Sequence, residues 1–144
     1  MNSEQLKALA QRAVESKGWR WMPGMRDLRT VLDSSRVRYI GPKNGLRLWA
    51  IPSTDIETGE FDASIGWVDT YQSNDHELLP DLSDPATLGC LLALVREVWG
   101  EDARPLKTDY FAKWVVVHGN RADDCSYPQP TEAEALVAAL EAAP

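Results

Sequence analysis

The chain has 144 residues, 44% of them hydrophobic and 26% charged, a balance that fits one globular domain spanning residues 1–144. A net charge of −7 argues against a surface built mainly to hold phosphates. The amphipathic, acid-containing start and the absence of any apolar run near about 18 residues argue against a signal peptide or a membrane span.

Taken in order, the chain opens with SEQLKALAQRAVESKG, a predicted helix capped by Ser3 and ended by Gly18. Its apolar positions Leu6, Leu9, Ala10, Ala13 and Val14 form a small-residue stripe suited to close packing on a sheet. In GWRWMPGMR, Trp19 and Trp21 alternate with Arg20 like a short strand, and Pro23-Gly24 then turns the chain. DLRTVLDSS is read as a helical turn or a loop.

Residues 36–40 and 46–51 read as two strands joined by GPKNG, with Asn44-Gly45 tolerating the positive φ of a tight hairpin turn. Pro42 predicts that pairing is interrupted near that turn. Alternation of Val37 and Tyr39 with Arg36 and Arg38, and of Leu46 and Leu48 with Arg47, predicts a basic outer face, with Lys43 at the hairpin tip. GPKNG lacks the spacing and the following helix of a phosphate-cradling loop. The acidic IPSTDIETGEFDA, turning at Thr58-Gly59, leads to a third predicted strand over 64–71, SIGWVDTY. QSNDHELLPDLS is a predicted loop.

The strongest helix signal lies in residues 84–100. Asp84 is placed to cap, Pro85 fits the first turn, and Leu88, Leu91, Leu92, Val95, Val98 and Trp99 recur at helical spacing. Cys90 and Leu94 widen that stripe, Arg96 and Glu97 keep a narrow polar face, and Gly100 supplies a left-handed stop. EDARPLKTD is read as a connector, and 110–118, YFAKWVVVH, as a strand whose apolar run fits a sheet covered on both faces. GNRADDCSYPQP is an exposed loop. TEAEALVAALEAAP is a helix opened by a Thr131/Glu134 capping box, with Leu136, Ala139 and Leu140 buried. Together these predict an α+β chain, a compact α/β/α sandwich of about four mostly antiparallel strands with three main helices.

No set of side chains assembles an evident catalytic or metal site. His76, between Asp75 and Glu77, has no helical-spaced partner, and Asp123, Asp124 and Cys125 lack a suitably spaced further ligand. Cys125 with His118 is the nearest approach to a nucleophile and base, seven residues apart. The expectation is therefore no enzyme, no metal and no cofactor, with Cys90 and Cys125 reduced in a cytoplasm.

Charge is segregated along the chain. Residues 1–50 carry ten Lys and Arg against four Asp and Glu, residues 51–100 one against ten, and residues 101–144 four against eight. Either the fold presents one basic and one acidic patch, or the segments neutralise each other locally. Six tryptophans, with aromatic and Arg side chains both favoured at interfaces, give the partner-binding candidates: Trp19, Trp21, Arg20, Arg26, Arg36, Arg38, Lys43, Arg47, Trp49 and Trp67.

The runs PDLSDPATLGCLLALVREVWG, ALAQRAVESKGWRWMPGMR and TEAEALVAALEAA resemble a set of small phage and prophage proteins, some carrying a domain described as the phage ABA sandwich. The resemblance covers the first 30 residues, the central helix and the C-terminal helix, and leaves 28–78 largely unmatched. It implies an α/β/α sandwich and a phage setting in a bacterial cytoplasm, and it carries over no functional residue. Two functions follow as expectations: an accessory protein that binds a host or phage protein, or a nucleic-acid-binding module using the basic N-terminal third, Arg29 included.

Overall fold

The computed structural model describes residues 1–28, 79–109, 112–120 and 123–144, and the backbone of two strands within 29–78. The chain is α+β. Its elements in order are α1 (Ser3–Glu15), β1 (Ser35–Ile40), β2 (Leu46–Ala50), α2 (Pro85–Trp99), β3 (Arg104–Lys107), β4 (Trp114–His118), β5 (Asp123–Asp124) and α3 (Glu132–Glu141). They fall into two compact units, one of Met1–Arg20 with Leu82–Pro144 and one of Trp21–Asp81.

In the first unit, α1 is capped by Asn2, one residue earlier than expected. The Asn2 side chain accepts from the Gln5 amide at 2.9 Å and the Gln5 side chain accepts from the Asn2 amide at 2.9 Å, a reciprocal capping box that outcompetes Ser3. The helix stops at Glu15 with Ser16 in extended backbone, so Gly18 does not end it. Leu9, Ala10 and Ala13 are buried, but the helix they line packs on α3 rather than on a sheet. Gly18 explains part of this closeness. A Cβ placed there would stand 2.9 Å from Leu140 Cδ1 and 3.4 Å from Val98 Cγ1, so the chain leaving α1 runs directly over the ends of α2 and α3.

α2 begins as its sequence dictates, with Asp84 accepting from the Thr87 amide at 2.9 Å and the Thr87 hydroxyl at 2.8 Å, and with Pro85 in its first turn. Its most buried line is Thr87, Leu91, Leu94 and Val95, so Leu94 belongs to the centre of the stripe and not its margin. Gly100 ends the helix at φ 113°, with ψ 158° placing it outside the left-handed helical well. The two polar residues are both engaged: Arg96 Nε donates to the Ala103 carbonyl at 2.9 Å, and Glu97 pairs with Arg20.

Residues 104–107, expected as a connector, form strand β3. It pairs antiparallel with β4, and β4 pairs antiparallel with β5, giving a sheet of order β3-β4-β5. Pairing explains the difference: Arg104 faces Val117 and Lys107 faces Trp114, a non-local ladder that the polar local sequence does not advertise. Asp123 and Asp124, also expected in a loop, complete β5 against His118 and Val117. Val115, Val116 and Val117 of the central strand are all buried, and α3 packs against this strand.

α3 is capped by Thr131, whose hydroxyl accepts from the Glu134 amide at 3.2 Å and donates to the Glu134 carboxylate at 2.8 Å. The Glu134 side chain thus bonds the cap's hydroxyl, where a full capping box would have it bond the cap's amide. Besides Leu136, Ala139 and Leu140, the helix buries Ala133, Ala135 and Val137 between α1, α2 and β4.

Residues 19–22, where the first unit passes into the second, are not a strand; in the second unit Pro23-Gly24 does turn, with Gly24 at φ 100°. Asp27 bridges Pro80, with the Leu28 amide on the Leu79 carbonyl and the Asp81 amide on the Arg26 carbonyl, both 2.8 Å. β1 and β2 pair antiparallel from Ser35↔Ala50 to Ile40↔Leu46, with a register shift between Val37 and Tyr39. The irregularity lies inside β1, and Pro42, near which an interruption was expected, lies outside the described residues. The GPKNG turn, the strand expected over 64–71 and the loop holding His76 lie outside the described residues.

Gly18→Ala tests the close approach at the helix ends. It should destabilise by about 1–3 kcal/mol through overpacking, and Leu140→Val, which removes the opposing methyl, should recover part of that cost. Strict additivity of the two in chemical denaturation would show that Gly18 is not held by Leu140.

Candidate functional site

The ten partner-binding candidates are divided between the units: Trp19 and Arg20 in the first, the others in the second. Arg20 forms a two-pronged ion pair with Glu97, and Arg26 Nε lies 3.7 Å from an Asp81 carboxylate oxygen. Trp19 is half-buried and Trp21 is 3% exposed, which takes the Trp21 ring out of any exposed patch. Arg36, Arg38, Arg47 and Trp49 lie on β1 and β2, where Arg36 and Trp49 are register partners, as are Tyr39 and Arg47. Lys43 and Trp67 lie outside the described residues.

A groove with a volume of about 670 Å³ opens elsewhere, in the first unit, and sequence reasoning did not single it out. Its origin is an interruption of pairing along β4. The Cys125 amide still bonds the Val116 carbonyl at 2.7 Å, after which the chain bows away and returns at Gln129, whose amide and carbonyl both pair with Trp114 at 2.7 Å. Between these points Ser126 Oγ accepts from the Val116 amide at 3.4 Å. Pro128 and Pro130 have no amide hydrogen to offer, so the sequence itself keeps this stretch from completing the ladder.

The bowed segment supplies one wall, with Asp124, Ser126, Tyr127 and Gln129, and the buried Cys125 lies at its base. Ala138, Glu141 and Ala142 of the α3 end supply the other. Arg12 of α1 closes one side, held by Glu141 through Nε at 2.9 Å and a terminal nitrogen at 2.7 Å. This bond raises the Arg12 pKa above its ordinary value. Tyr127 is 87% exposed, far more than the other large apolar side chains described on this unit.

The chemistry at the base is that of a quiet thiol. Burial, followed by the negative charges of Asp124, Asp102 and Asp123, pushes Cys125 up to about 11. A cysteine of that kind is protonated at neutral pH and a poor nucleophile. His118, the base that sequence could pair with it, lies against the indole of Trp99 with ring centroids 5.0 Å apart. Cys90 and Cys125 are not joined in a disulfide. Among the described residues, no group of three or more His, Cys, Asp or Glu is placed to hold a metal ion, and no helix is long and apolar enough to cross a membrane.

Asp124 was noticed in the sequence only as a weak metal candidate, and Cys125 as that and as a possible nucleophile beside His118. Arg12, Tyr127, Gln129 and Glu141 carried no motif, although the paired prolines around Gln129 did mark a stretch unable to pair fully. Comparisons with protein-family models, with curated proteins and with solved structures find no match to this chain.

Two measurements check the electrostatics. At pH 7.4 Cys125 should react with iodoacetamide roughly a hundredfold or more slowly in the folded chain than in urea, followed by mass spectrometry of its peptide; equal rates would contradict a buried, protonated thiol. Glu97 has its pKa lowered by the Arg20 hydrogen bond. Its stabilisation is therefore complete above the ordinary carboxylate range and is lost as pH falls through its depressed folded value. Both side chains are about half exposed, so Glu97→Gln should cost only about 0.5 kcal/mol at pH 7, and that cost should shrink as acid protonates Glu97.

Proposed function

We propose that this chain is a phage- or prophage-type accessory protein that acts in a bacterial cytoplasm by binding a host or phage protein. The observation that carries this reading is the groove beside Tyr127, an aromatic ring left 87% exposed at the mouth of a concave surface whose other members are polar or small. Tyr and Arg side chains are both enriched at protein-recognition surfaces. The resemblance of three stretches to small phage proteins supports the setting, and the lack of a Cys90–Cys125 disulfide accords with a reducing compartment. The same resemblance supports an α/β/α sandwich as the complete architecture.

The nucleic-acid reading, built on the basic N-terminal third, is weaker. Arg20 and Arg26, two of its cations, are each answered by a carboxylate, so they do not offer the uncompensated charge that phosphate binding needs. The enzymatic reading that pairs Cys125 with His118 is weaker still, because burial favours the protonated, less reactive thiol.

The deciding experiment is affinity capture with the tagged chain from bacterial lysate, with and without nuclease, at low and high salt. Protein binding predicts a discrete protein partner retained after nuclease and high salt. Recovery of nucleic acid alone, lost at high salt, would replace this reading with the nucleic-acid one, and recovery of nothing would count against both.

A further inference from the structure

We infer, resting on the protein-binding reading above, that the groove beside Tyr127 receives a basic peptide segment of the partner, with an Arg or Lys side chain laid across the Tyr127 ring next to Asp124. The charge of the groove points to this occupant. Arg12 is the lone cation lining it among the described residues, and two of its donors are spent on Glu141. Asp124 is exposed and forms no ion pair among the described residues, so the lining keeps one carboxylate without a counter-charge. Asp123 precedes it on the same strand, and Asp102 is fixed nearby by the Gly119 amide at 2.8 Å. After burial, which raises the Cys125 pKa most, the charges of Asp124, Asp102 and Asp123 each raise it further, in keeping with a negative potential at the groove base.

Shape and surface agree. About 670 Å³ is ample for one or two long side chains, and lies within the usual range of ligand pockets, roughly 300–1,000 Å³. The methyl groups of Ala138 and Ala142 offer small apolar contacts to the aliphatic stem of a lysine or arginine. The face of Tyr127 attracts the cationic head, and Asp124 lies where that head can be paired. An acidic peptide or a phosphate backbone would meet Asp124 and the surrounding carboxylates unfavourably.

The test is an amide-resolved NMR titration of the full chain with acetyl-Ala-Arg-Ala-Arg-Ala-amide, and with the same peptide carrying Glu in place of Arg. The arginine peptide should shift the amides of Ser126, Tyr127, Gln129 and Ala142 first, and the glutamate peptide should not. Tyr127→Ala and Asp124→Asn should each weaken binding roughly three- to fivefold, with Tyr127→Phe close to wild type. Both positions are exposed, and unchanged thermal melts would confirm intact folding. Shifts scattered over the acidic surface, shifts indifferent to either variant, or equal response to the glutamate peptide would overturn the inference. A captured partner retained equally by Tyr127→Ala and Asp124→Asn would also overturn it while leaving protein binding in place. Failure of the wild-type chain to capture any partner would overturn the wider reading, with the titration still deciding what the groove takes.

Discussion

The first unit depends on how α2 and α3 are locked at their C-terminal ends. The last carbonyls of a helix have no partner within it and must be satisfied from outside. In α3 the Ala142 amide takes the Ala138 carbonyl and the Ala143 amide takes that of Leu140. The carbonyl left between them, on Ala139, accepts from the Trp99 indole at 2.8 Å. One side chain at the end of α2 thus completes the end of α3. The same ring contacts His118 at the end of β4, so two helices and the central strand meet on a single residue. Gly18 then lets the chain from α1 cross this junction, where a side chain would collide with Leu140.

The sheet follows from the same arrangement. A central strand with three consecutive buried valines, against which α3 packs, needs partners for its backbone groups on both edges. β3 provides one edge along the full register from Arg104 to Lys107. The other edge is only partly satisfied, by β5 at one end and Gln129 at the other, because prolines interrupt what lies between. Departure of the chain from the sheet is therefore what creates the groove, and the end of α3, anchored by Trp99, supplies the wall opposite.

What could be read from the sequence divides along this line. The helices were legible because each carries its own local signals: Asp84-Pro85 and Thr131 at the starts, and apolar spacing that survives without knowledge of neighbours. The valine run of β4 was legible for its continuous hydrophobicity. β3 and β5 were not, since RPLK and a pair of aspartates become strands only through partners ten or more residues away in places, such as Arg104 with Val117. The cap of α1 was misplaced by one residue because Asn2 and Ser3 are both good caps, and only the reciprocal bond with Gln5 decides between them. The groove was invisible for a related reason. Arg12 and Glu141 sit at opposite ends of the chain, and nothing in either neighbourhood announces their pairing.

That pairing also resolves how the segregated charges are used. Arg12, Arg20 and Arg26 come from the basic N-terminal third, and each meets an acid from later in the chain: Glu141, Glu97 and Asp81. These three pairs follow local neutralisation, and exposed ones of this kind add little stability individually. Their consequence is for surface character. Cations spent on carboxylates no longer contribute free positive potential, while Asp102, Asp123 and Asp124 lie close enough to act together on Cys125. Among the described residues, the carboxylates Asp102, Asp123 and Asp124 thereby stand near an exposed tyrosine. A chain whose first third reads as strongly basic presents, at the groove beside Tyr127, a face suited to positive charge.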